Sequence, residues 1–269
     1  MTELDDLRAT VRAFLEAASP SETVRRLMAT ESGYDENTWR QMAGELGLHG
    51  IAVPEQWGGA GAGMPELTVV FEEMGATLLC SPFFSTVALA TQAILTSDDR
   101  TAMDEFLPGL AAGESTATVI LNGHLKAWDA SAVALTAAPG REGYRVSGDA
   151  PRVLNGHCAD LLLVAANTAA GPSLFAIAAD SAGIKRTPLA SLDRTRKVAH
   201  IQFDEAPARL IGNDGDASSG LARTSDLALV ALAAEQLGAA QRCLDMAVGY
   251  AKERIQFGRA IGSFQAIKH

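Results

Sequence analysis

Cysteine is scarce in this sequence, and the three cysteines present are far apart. They occupy positions 80, 158 and 243 of 269, and no Cys-x-x-Cys pair occurs. An odd number at such spacing argues against a disulfide-dependent fold and a zinc ribbon. We therefore expect Cys80, Cys158 and Cys243 to be reduced thiols in the core or at the surface.

Basic residues are the minority charge. The chain has 22 lysines and arginines against 32 aspartates and glutamates, which gives a net charge of −10. No basic stripe offsets this balance, so binding to nucleic acid is not expected. A polyanionic ligand remains compatible with the chain, but local arginines would have to hold it.

Long hydrophobic runs are missing as well. The longest ones, Leu161–Ala166 and Leu227–Ala234, are far shorter than the ~20 apolar residues of a membrane-spanning helix. The chain begins with the acidic stretch Met1-Thr-Glu-Leu-Asp-Asp, which is unlike a signal peptide. We expect a cytoplasmic protein that does not enter a membrane.

Common catalytic motifs are also absent. The histidines are scattered without His-Glu-x-x-His, and no Gly-x-Ser-x-Gly occurs, so neither a metal site nor a serine hydrolase is expected. The glycine-rich stretch from Gly50 to Gly63 lacks Gly-Lys-Ser/Thr. It is therefore predicted to be a structural turn near a pocket rather than a phosphate loop.

The hydrophobic pattern that is present divides the chain into three parts. Residues 1–110 show mostly helical periodicity, a period of two begins near Thr116, and a long helical pattern follows the polar segment Ile211–Gly220. Because these blocks do not alternate as βαβ, a Rossmann sheet is not expected. We predict a multidomain α+β fold: an N-terminal helical domain (1–114), a middle β-barrel (115–212) and the start of a C-terminal helical domain (213–269). The predicted strands are Thr116–Leu121, Ala132–Thr136, Tyr144–Ser147, Val153–Leu154, Ala159–Ala166, Ser173–Ala179, Ile184–Pro188 and Lys197–Phe203.

The long helical pattern near the end leads into the most informative segment of the chain. Its apolar stripe predicts one buried helix face roughly 50 Å long; the stripe consists of Val230, Ala234, Leu237, Leu244, Val248, Ala251 and Ile255. Arg254 points off this stripe, and Phe257, Gly258 and Gly262 follow it. Two interpretations stay open: a guanidinium that binds phosphate in bidentate fashion, or a cation and a glycine that cap a helix C-terminus.

Three motifs in this order resemble the acyl-CoA dehydrogenase family. They are Leu48-x-Gly50-x-x-Val53-Pro54-Glu55-x-x-Gly58-Gly59, Phe106-Leu107-Pro108-Gly109-x-x-x-Gly113-Glu114, and Arg254-x-Gln-Phe257-Gly258-x-x-Ile261-Gly262-x-Phe264-Gln265-Ala266-Ile267. The third motif is the specific one. The resemblance spans the chain and implies the same architecture, a helical domain, a β-barrel and a helical domain that is incomplete here.

The resemblance also implies a chemistry. In the family, FAD lies between the barrel and the C-terminal helices, a carboxylate removes the acyl α-proton, and a hydride passes from the β-carbon to the flavin. Arg254 and Gln265 are then expected to contact the FAD of a neighbouring subunit, with Phe257 packed beside them. The implied partners are an acyl-CoA substrate and an electron-transfer flavoprotein-like acceptor.

The chain departs from the family at its flavin contacts. The usual Thr/Ser-Glu-Pro-x-x-Gly-Ser-Asp loop corresponds to residues 121–128, where it is not recognisable, and the usual Trp-Ile-Thr becomes Arg152-Val153-Leu154. The Asn155-Gly156 pair that follows is retained, and the resemblance carries Asn155 over as a cofactor contact.

Further departures concern the substrate and the base. The family's Asp-x-x-Arg near the CoA moiety corresponds to Asp226-Leu-Ala-Leu229, so Asp226 is the expected substrate contact. One family position of the catalytic base is Ala228, and the commoner one lies beyond residue 269. Members are typically longer by on the order of a hundred residues, so a fragment or a shortened subunit is expected.

The segment Asp193-x-Thr195-Arg196, together with Phe203-Asp204, resembles a form of the late barrel strand that is common in actinobacterial members. Several of these members pair two unlike subunits to act on steroid side chains or rings. Arg196 is equally compatible with an ordinary strand-end ion pair. The leading hypothesis is a subunit of an FAD-dependent acyl-CoA dehydrogenase, homo- or hetero-oligomeric, for a fatty or steroid-derived thioester. The alternatives are a non-catalytic subunit that completes a partner's FAD site, and a related flavin oxidase or monooxygenase.

Overall fold

The computed structural model describes residues 2–121, 129–141 and 143–269. The N-terminal region is helical, with α1 (Glu3–Ala18), α2 (Ser21–Met28), α3 (Glu36–Gly44), α4 (Met64–Thr77), a π-helix (Phe84–Thr91) that continues as α5 (Gln92–Leu95), and α6 (Arg100–Ala111). Three helices begin at a side-chain cap, since Thr2, Asp35 and Asp99 each accept a hydrogen bond from the first turn. The glycine-rich stretch forms two 3₁₀ turns between α3 and α4.

An ion-pair network centred on the buried Glu73 joins α1 to α4. Arg12 and Arg8 each bring a guanidinium within 2.9 Å of the Glu73 carboxylate, whose side chain is 4% exposed. Burial by itself would raise the pKa of Glu73, but the two arginines outweigh it and hold the pKa below its ordinary value. The network therefore stabilises the fold above the ordinary glutamate pKa, and this stability is lost as the pH falls through the lowered one.

The middle region is a β-barrel. Its strands are β1 (Ala117–Ile120), β2 (Thr136–Pro139), β3 (Tyr144–Leu154), β4 (Leu161–Asn167), β5 (Pro172–Ala178), β6 (Ile184–Leu189) and β7 (Val198–Ile211). The pairing β4-β2-β3-β7-β5 closes on itself because β5 also pairs with β4, while β1 lies parallel to β4 and β6 lies on β7. The fully buried Val146, Phe175 and Ile201 belong to the barrel's own core.

The strand predictions need three corrections. Tyr144–Ser147 and Val153–Leu154 belong to one strand, β3, which bulges against β7 between Val146 and Gly148 and between Ala150 and Val153. The bulges interrupt the period-two pattern, so one strand was predicted as two. The Ala132–Thr136 segment runs from the end of a 3₁₀ turn to the first residue of β2 and is irregular in between, and β7 extends to Ile211 rather than ending at Phe203.

The C-terminal region is one long helix followed by a hairpin. Helix α7 (Ser218–Glu253) is about 54 Å long at 1.5 Å per residue, and it packs on α4. The predicted buried stripe is wrong, because Val230, Leu237, Leu244, Val248 and Ile255 are 41–57% exposed. Apart from Leu221 at its start, the buried face is made of small residues instead, namely Thr224, Ser225, Ala228, Ala231 and Gly238.

The three-part fold predicted from the sequence is thus confirmed. The boundaries at 114/115 and 212/213 stay predictions. Within the described ranges, no helix combines the length and apolarity needed to cross a bilayer.

The three cysteines are free thiols in different environments. Burial raises the pKa of Cys80 to about 11 and that of Cys158 to about 12, whereas Cys243 is exposed on α7. Because the thiolate is the reactive form, iodoacetamide at pH 7.5 should label Cys243 alone in the folded chain and all three thiols after denaturation. Peptide mass spectrometry measures this, with Cys243→Ser as the control. Equal labelling of Cys80 or Cys158 in the folded chain would contradict these environments.

Candidate functional site

An apolar cavity lies at one end of the barrel, where the ends of β1 and β3 meet. The Thr118 hydroxyl donates a 2.7 Å hydrogen bond to the Leu154 carbonyl and holds the two strands side by side. The cavity has a volume of about 190 Å³, and Phe84, Leu89, Leu121, Arg152 and Leu154 are among the residues that line it. The structure therefore brings together Leu121 and Leu154. They belong to the two segments, 121–128 and 152–154, that correspond to the flavin contacts of the family.

The far wall of the cavity comes from the π-helix. Phe84 and Leu89 are each 5% exposed and lie opposite the barrel strands. The aromatic ring of Phe71 on α4 contacts the Phe84 ring edge-on at 5.6 Å between centroids. Sequence reasoning missed this wall, because nothing in a helical pattern indicates that residues 84 and 89 will face positions 121 and 154.

A larger, polar groove lies between α5–α6, the barrel and the start of α7. Its volume is about 390 Å³, and its lining includes Asp98, Asp99, Asn213, Asp216 and Ser219. Asp99 is already engaged there, since its carboxylate accepts hydrogen bonds from the Ala102 and Gly212 backbone N–H groups. This groove contains none of the residues predicted to bind a cofactor or substrate.

Asn155 lies in the tight turn that follows β3. Its backbone has a positive φ of 51°, a conformation that asparagine adopts more readily than most residues. Its backbone N–H donates to the Lys197 carbonyl at 2.8 Å, and its own carbonyl accepts from Cys158 and Ala159. Arg186 fixes the same turn by donating to the Ala159 carbonyl at 2.9 Å. These bonds give Asn155 a structural role; its role as a cofactor contact stays a prediction.

The two positions singled out at the start of α7 have opposite environments. Asp226 is exposed, so its carboxylate is available to a ligand outside the helix. Ala228 is completely buried and belongs to the helical core. A methyl group cannot accept a proton, so this position does not provide a base.

Arg254, Phe257 and Gln265 come together in a small unit at the end of α7. Arg254 ends the helix with an extended backbone, and its carbonyl accepts a 2.9 Å hydrogen bond from the Ile261 N–H. The strands β8 (Ile255–Gln256) and β9 (Arg259–Ala260) form a hairpin whose turn residues, Phe257 and Gly258, have φ values of 52° and 76°. Two consecutive positive φ angles are typical of a type I′ turn.

This terminal unit is open to solvent. Phe257 is 93% exposed, and Arg254 and Gln265, the first residue of α8 (Gln265–Lys268), are exposed too. Gly238 is the last buried residue of α7, and Glu253 lies about 22 Å further along the helix at 1.5 Å per residue. The terminal unit thus lies beyond the stretch of α7 that packs on the rest of the chain.

The described residues offer FAD different contacts at the terminal unit and at the barrel. Arg254 makes no ion pair with any described residue, so its guanidinium is available to a diphosphate. In the barrel-end cavity, the side chains of Leu121 and Leu154 offer no hydrogen bond to a flavin ring, and the charged side chains that line it are Asp149 and Arg152. The predicted flavin loop falls largely on residues 122–128, which lie outside the described residues. Within the described ranges there is also no cluster of three or more metal-ligating side chains.

Comparisons with known proteins agree with this architecture. Residues 1–114 match the profile of the acyl-CoA dehydrogenase N-terminal domain, and residues 226–269 match that of the acyl-CoA dehydrogenase C-terminal domain. Acyl-CoA dehydrogenase IpdE2 of Mycolicibacterium smegmatis is 35% identical over 267 residues, which cover 99% of this chain and 70% of that protein.

Solved structures are similar over the whole chain. The ChsE4-ChsE5 complex from Mycobacterium tuberculosis aligns with a TM-score of 0.87 and 30% identity, over 100% of this chain and 72% of that one. A variant of the Tcur3481-Tcur3483 steroid ACAD aligns with a TM-score of 0.87 and 36% identity, over 99% of this chain and 71% of that one. The chain belongs to the acyl-CoA dehydrogenase family, whose members are flavoprotein oxidoreductases that act on CH–CH groups.

Proposed function

We propose that the chain is one subunit of an oligomeric FAD-dependent enzyme that desaturates the α,β-bond of a fatty or steroid-derived acyl-CoA thioester. Within it, Arg254, Phe257 and Gln265 complete the FAD site of a neighbouring subunit. The observation that carries this proposal is the exposed terminal unit, which presents a guanidinium, an aromatic ring and an amide together beyond the body of its own chain. The similarity to a steroid ACAD and to a two-protein complex supports the substrate class and the pairing.

Each residue has a distinct task in this proposal. Bound FAD supplies the acceptor for the hydride, and an electron-transfer flavoprotein-like protein takes up the electrons. Arg254 would hold the diphosphate, since a guanidinium can donate two hydrogen bonds to it, and the Gln265 amide would donate or accept nearby. The exposed ring of Phe257 would pack against the cofactor. Asp226 binds the CoA portion of the substrate, and the barrel-mouth cavity holds the apolar acyl portion.

A second candidate is a subunit that makes these contacts without catalysing turnover itself. The buried Ala228 favours it, because this position carries no carboxylate. General-base catalysis contributes roughly 10²–10⁴-fold, so a subunit without a base would be nearly silent. The two candidates differ in the amount of FAD that the assembly contains. If the chain is catalytic, the assembly binds one FAD for each copy of this chain. If it is not, the number of bound FAD molecules equals the number of partner subunits alone.

Replacing Arg254 by alanine should weaken FAD binding by the assembled enzyme roughly 10–150-fold, which corresponds to the 1.5–3 kcal/mol of a charged hydrogen bond. The dissociation constant is measured by fluorescence titration of the apo-assembly with FAD. Arg242→Ala is the matched control, because Arg242 is another exposed arginine on the projecting half of α7. Equal FAD affinities of the Arg254→Ala and unmodified assemblies would refute the proposed role.

A further inference from the structure

Arg196 joins three parts of the molecule. It lies in the loop between β6 and β7, and its guanidinium forms an ion pair with Glu235 on α7. Both side chains are largely buried, with 27% of Arg196 and 19% of Glu235 exposed. The pair thus links the barrel to the C-terminal helix away from bulk solvent.

The same guanidinium lies over the ring of Phe84, with its carbon 4.8 Å from the ring centroid. This ring is also the aromatic wall of the barrel-mouth cavity. Phe84 is therefore contacted by the edge of Phe71 from α4 and by the cation of Arg196 from the barrel loop. A buried ring with neighbours on two sides has little freedom to turn, so its position sets one dimension of the cavity.

The two neighbouring cations of this loop contact a different part of the molecule. Arg194 and Lys197 both donate to the Met28 carbonyl, at 3.3 Å and 2.9 Å, and attach the loop to the end of α2. The loop is therefore held in place without the Arg196 side chain. What remains specific to Arg196 is its contact with Phe84 and Glu235.

We propose that Arg196 is a positioning residue that fixes the Phe84 ring and thereby sets the width of the acyl group that the cavity accepts. This inference rests on the proposed function, since it takes the cavity to be the acyl site. A fixed ring favours a narrow, straight acyl group, whereas a ring free to turn aside makes room for a branched or cyclic one.

The test compares two thioesters, octanoyl-CoA and cyclohexanecarbonyl-CoA, by calorimetric titration of the full chain assembled with its partner. In Arg196→Gln, the ratio of their dissociation constants should move roughly tenfold toward the cyclic thioester, the change expected when a pocket gains space for about one methylene. Arg194→Gln, in the same loop, should leave the ratio unchanged. Arg196→Lys should restore the ratio only in part, because an ammonium keeps the charge but not the planar stacking.

Each result has a separate meaning. An unchanged ratio in Arg196→Gln would overturn the positioning role, whereas full restoration by lysine would overturn only the contribution of planar stacking. Failure of the unmodified assembly to bind either thioester would instead overturn the proposed function.

A double-mutant cycle between Arg196→Gln and Phe84→Leu provides a check without ligand. The coupling between the two residues should change the unfolding equilibrium constant by roughly threefold or more. Additive effects in this cycle would contradict the contact itself.

Discussion

Replacing Gly238 by alanine is expected to destabilise the chain by at least about 2 kcal/mol, although alanine is the better helix former by about 1 kcal/mol. The reason is the crossing of α4 and α7. A Cβ atom at Gly238 would overlap the Glu72 carbonyl of α4, and a Cβ atom at Gly75 would overlap the Glu235 carbonyl of α7. At this crossing, a glycine of each helix contacts the backbone of the other helix. A methyl group at either glycine would therefore force the two helices apart.

Gly249 is the matched control for this experiment. It lies on the same helix, and a Cβ atom there would meet nothing within 4 Å. Gly249→Ala should therefore stabilise the chain by up to about 1 kcal/mol. Urea denaturation followed by circular dichroism gives the free energies of unfolding. Stabilisation by both substitutions would mean that the helices are not in backbone contact.

The buried His49 is expected to make the fold sensitive to acid. His49 is completely buried beside the rings of Trp39 and Phe83, with centroid distances of 3.9 Å and 5.3 Å. Burial lowers its pKa to about 3; the nearby Met42 backbone opposes this slightly, yet neither ring nitrogen has a well-directed hydrogen bond. In the unfolded chain His49 is protonated near pH 6.5, whereas in the folded chain it stays neutral at that pH. The free energy of unfolding therefore falls as the pH drops.

The size of this effect follows from linkage. Between pH 6.5 and pH 4.5, His49 should remove roughly 2 kcal/mol of unfolding free energy. This window lies above the ordinary glutamate pKa of 4.5, so most of the stability that the Glu73 network contributes is lost at lower pH than the His49 contribution. His49→Leu should abolish this part of the slope, and His200→Leu, a histidine on the outer barrel face paired with Asp149, is the control. A slope unchanged by His49→Leu would show that another group is responsible.

The sequence predicted the order of the three regions because hydrophobic periodicity changes from helical to alternating near Thr116 and back after Gly220. The sequence also indicated the terminal unit. An arginine, an aromatic residue and two glycines at the end of a helical pattern predict a helix end that either binds phosphate or is capped. The family was identified from those residues, and the comparisons confirm it. The cofactor contacts of Arg254, Phe257, Gln265 and Asn155, and the substrate contact of Asp226, stay predictions.

The buried face of α7 was predicted wrongly for a physical reason. A hydrophobicity pattern gives weight to valine, leucine and isoleucine, whereas the face that packs on α4 is made of small residues such as Ala228, Ala231 and Gly238. Small residues allow two backbones to approach closely, and a pattern of apolarity does not register that. The large apolar residues of the helix remain exposed on the described chain.

The cavity could not be predicted for another reason. Its walls combine Phe84, Leu121 and Leu154, which come from a π-helix, the residue after β1 and the end of β3. Their proximity depends on barrel closure and on the packing of the π-helix against β1, and neither leaves a local signal. The same holds for Arg196, whose partners at 84 and 235 are far away in sequence.

The central claim is that the terminal unit serves the FAD of another subunit. A structure of the FAD-loaded assembly, determined by electron cryo-microscopy, tests it most directly. We predict that the Arg254 guanidinium and the Gln265 amide lie within hydrogen-bond distance of an FAD whose flavin ring is held by the barrel of a different subunit. An FAD bound to the barrel of the same chain as its Arg254, or an Arg254 remote from every FAD, would contradict the account.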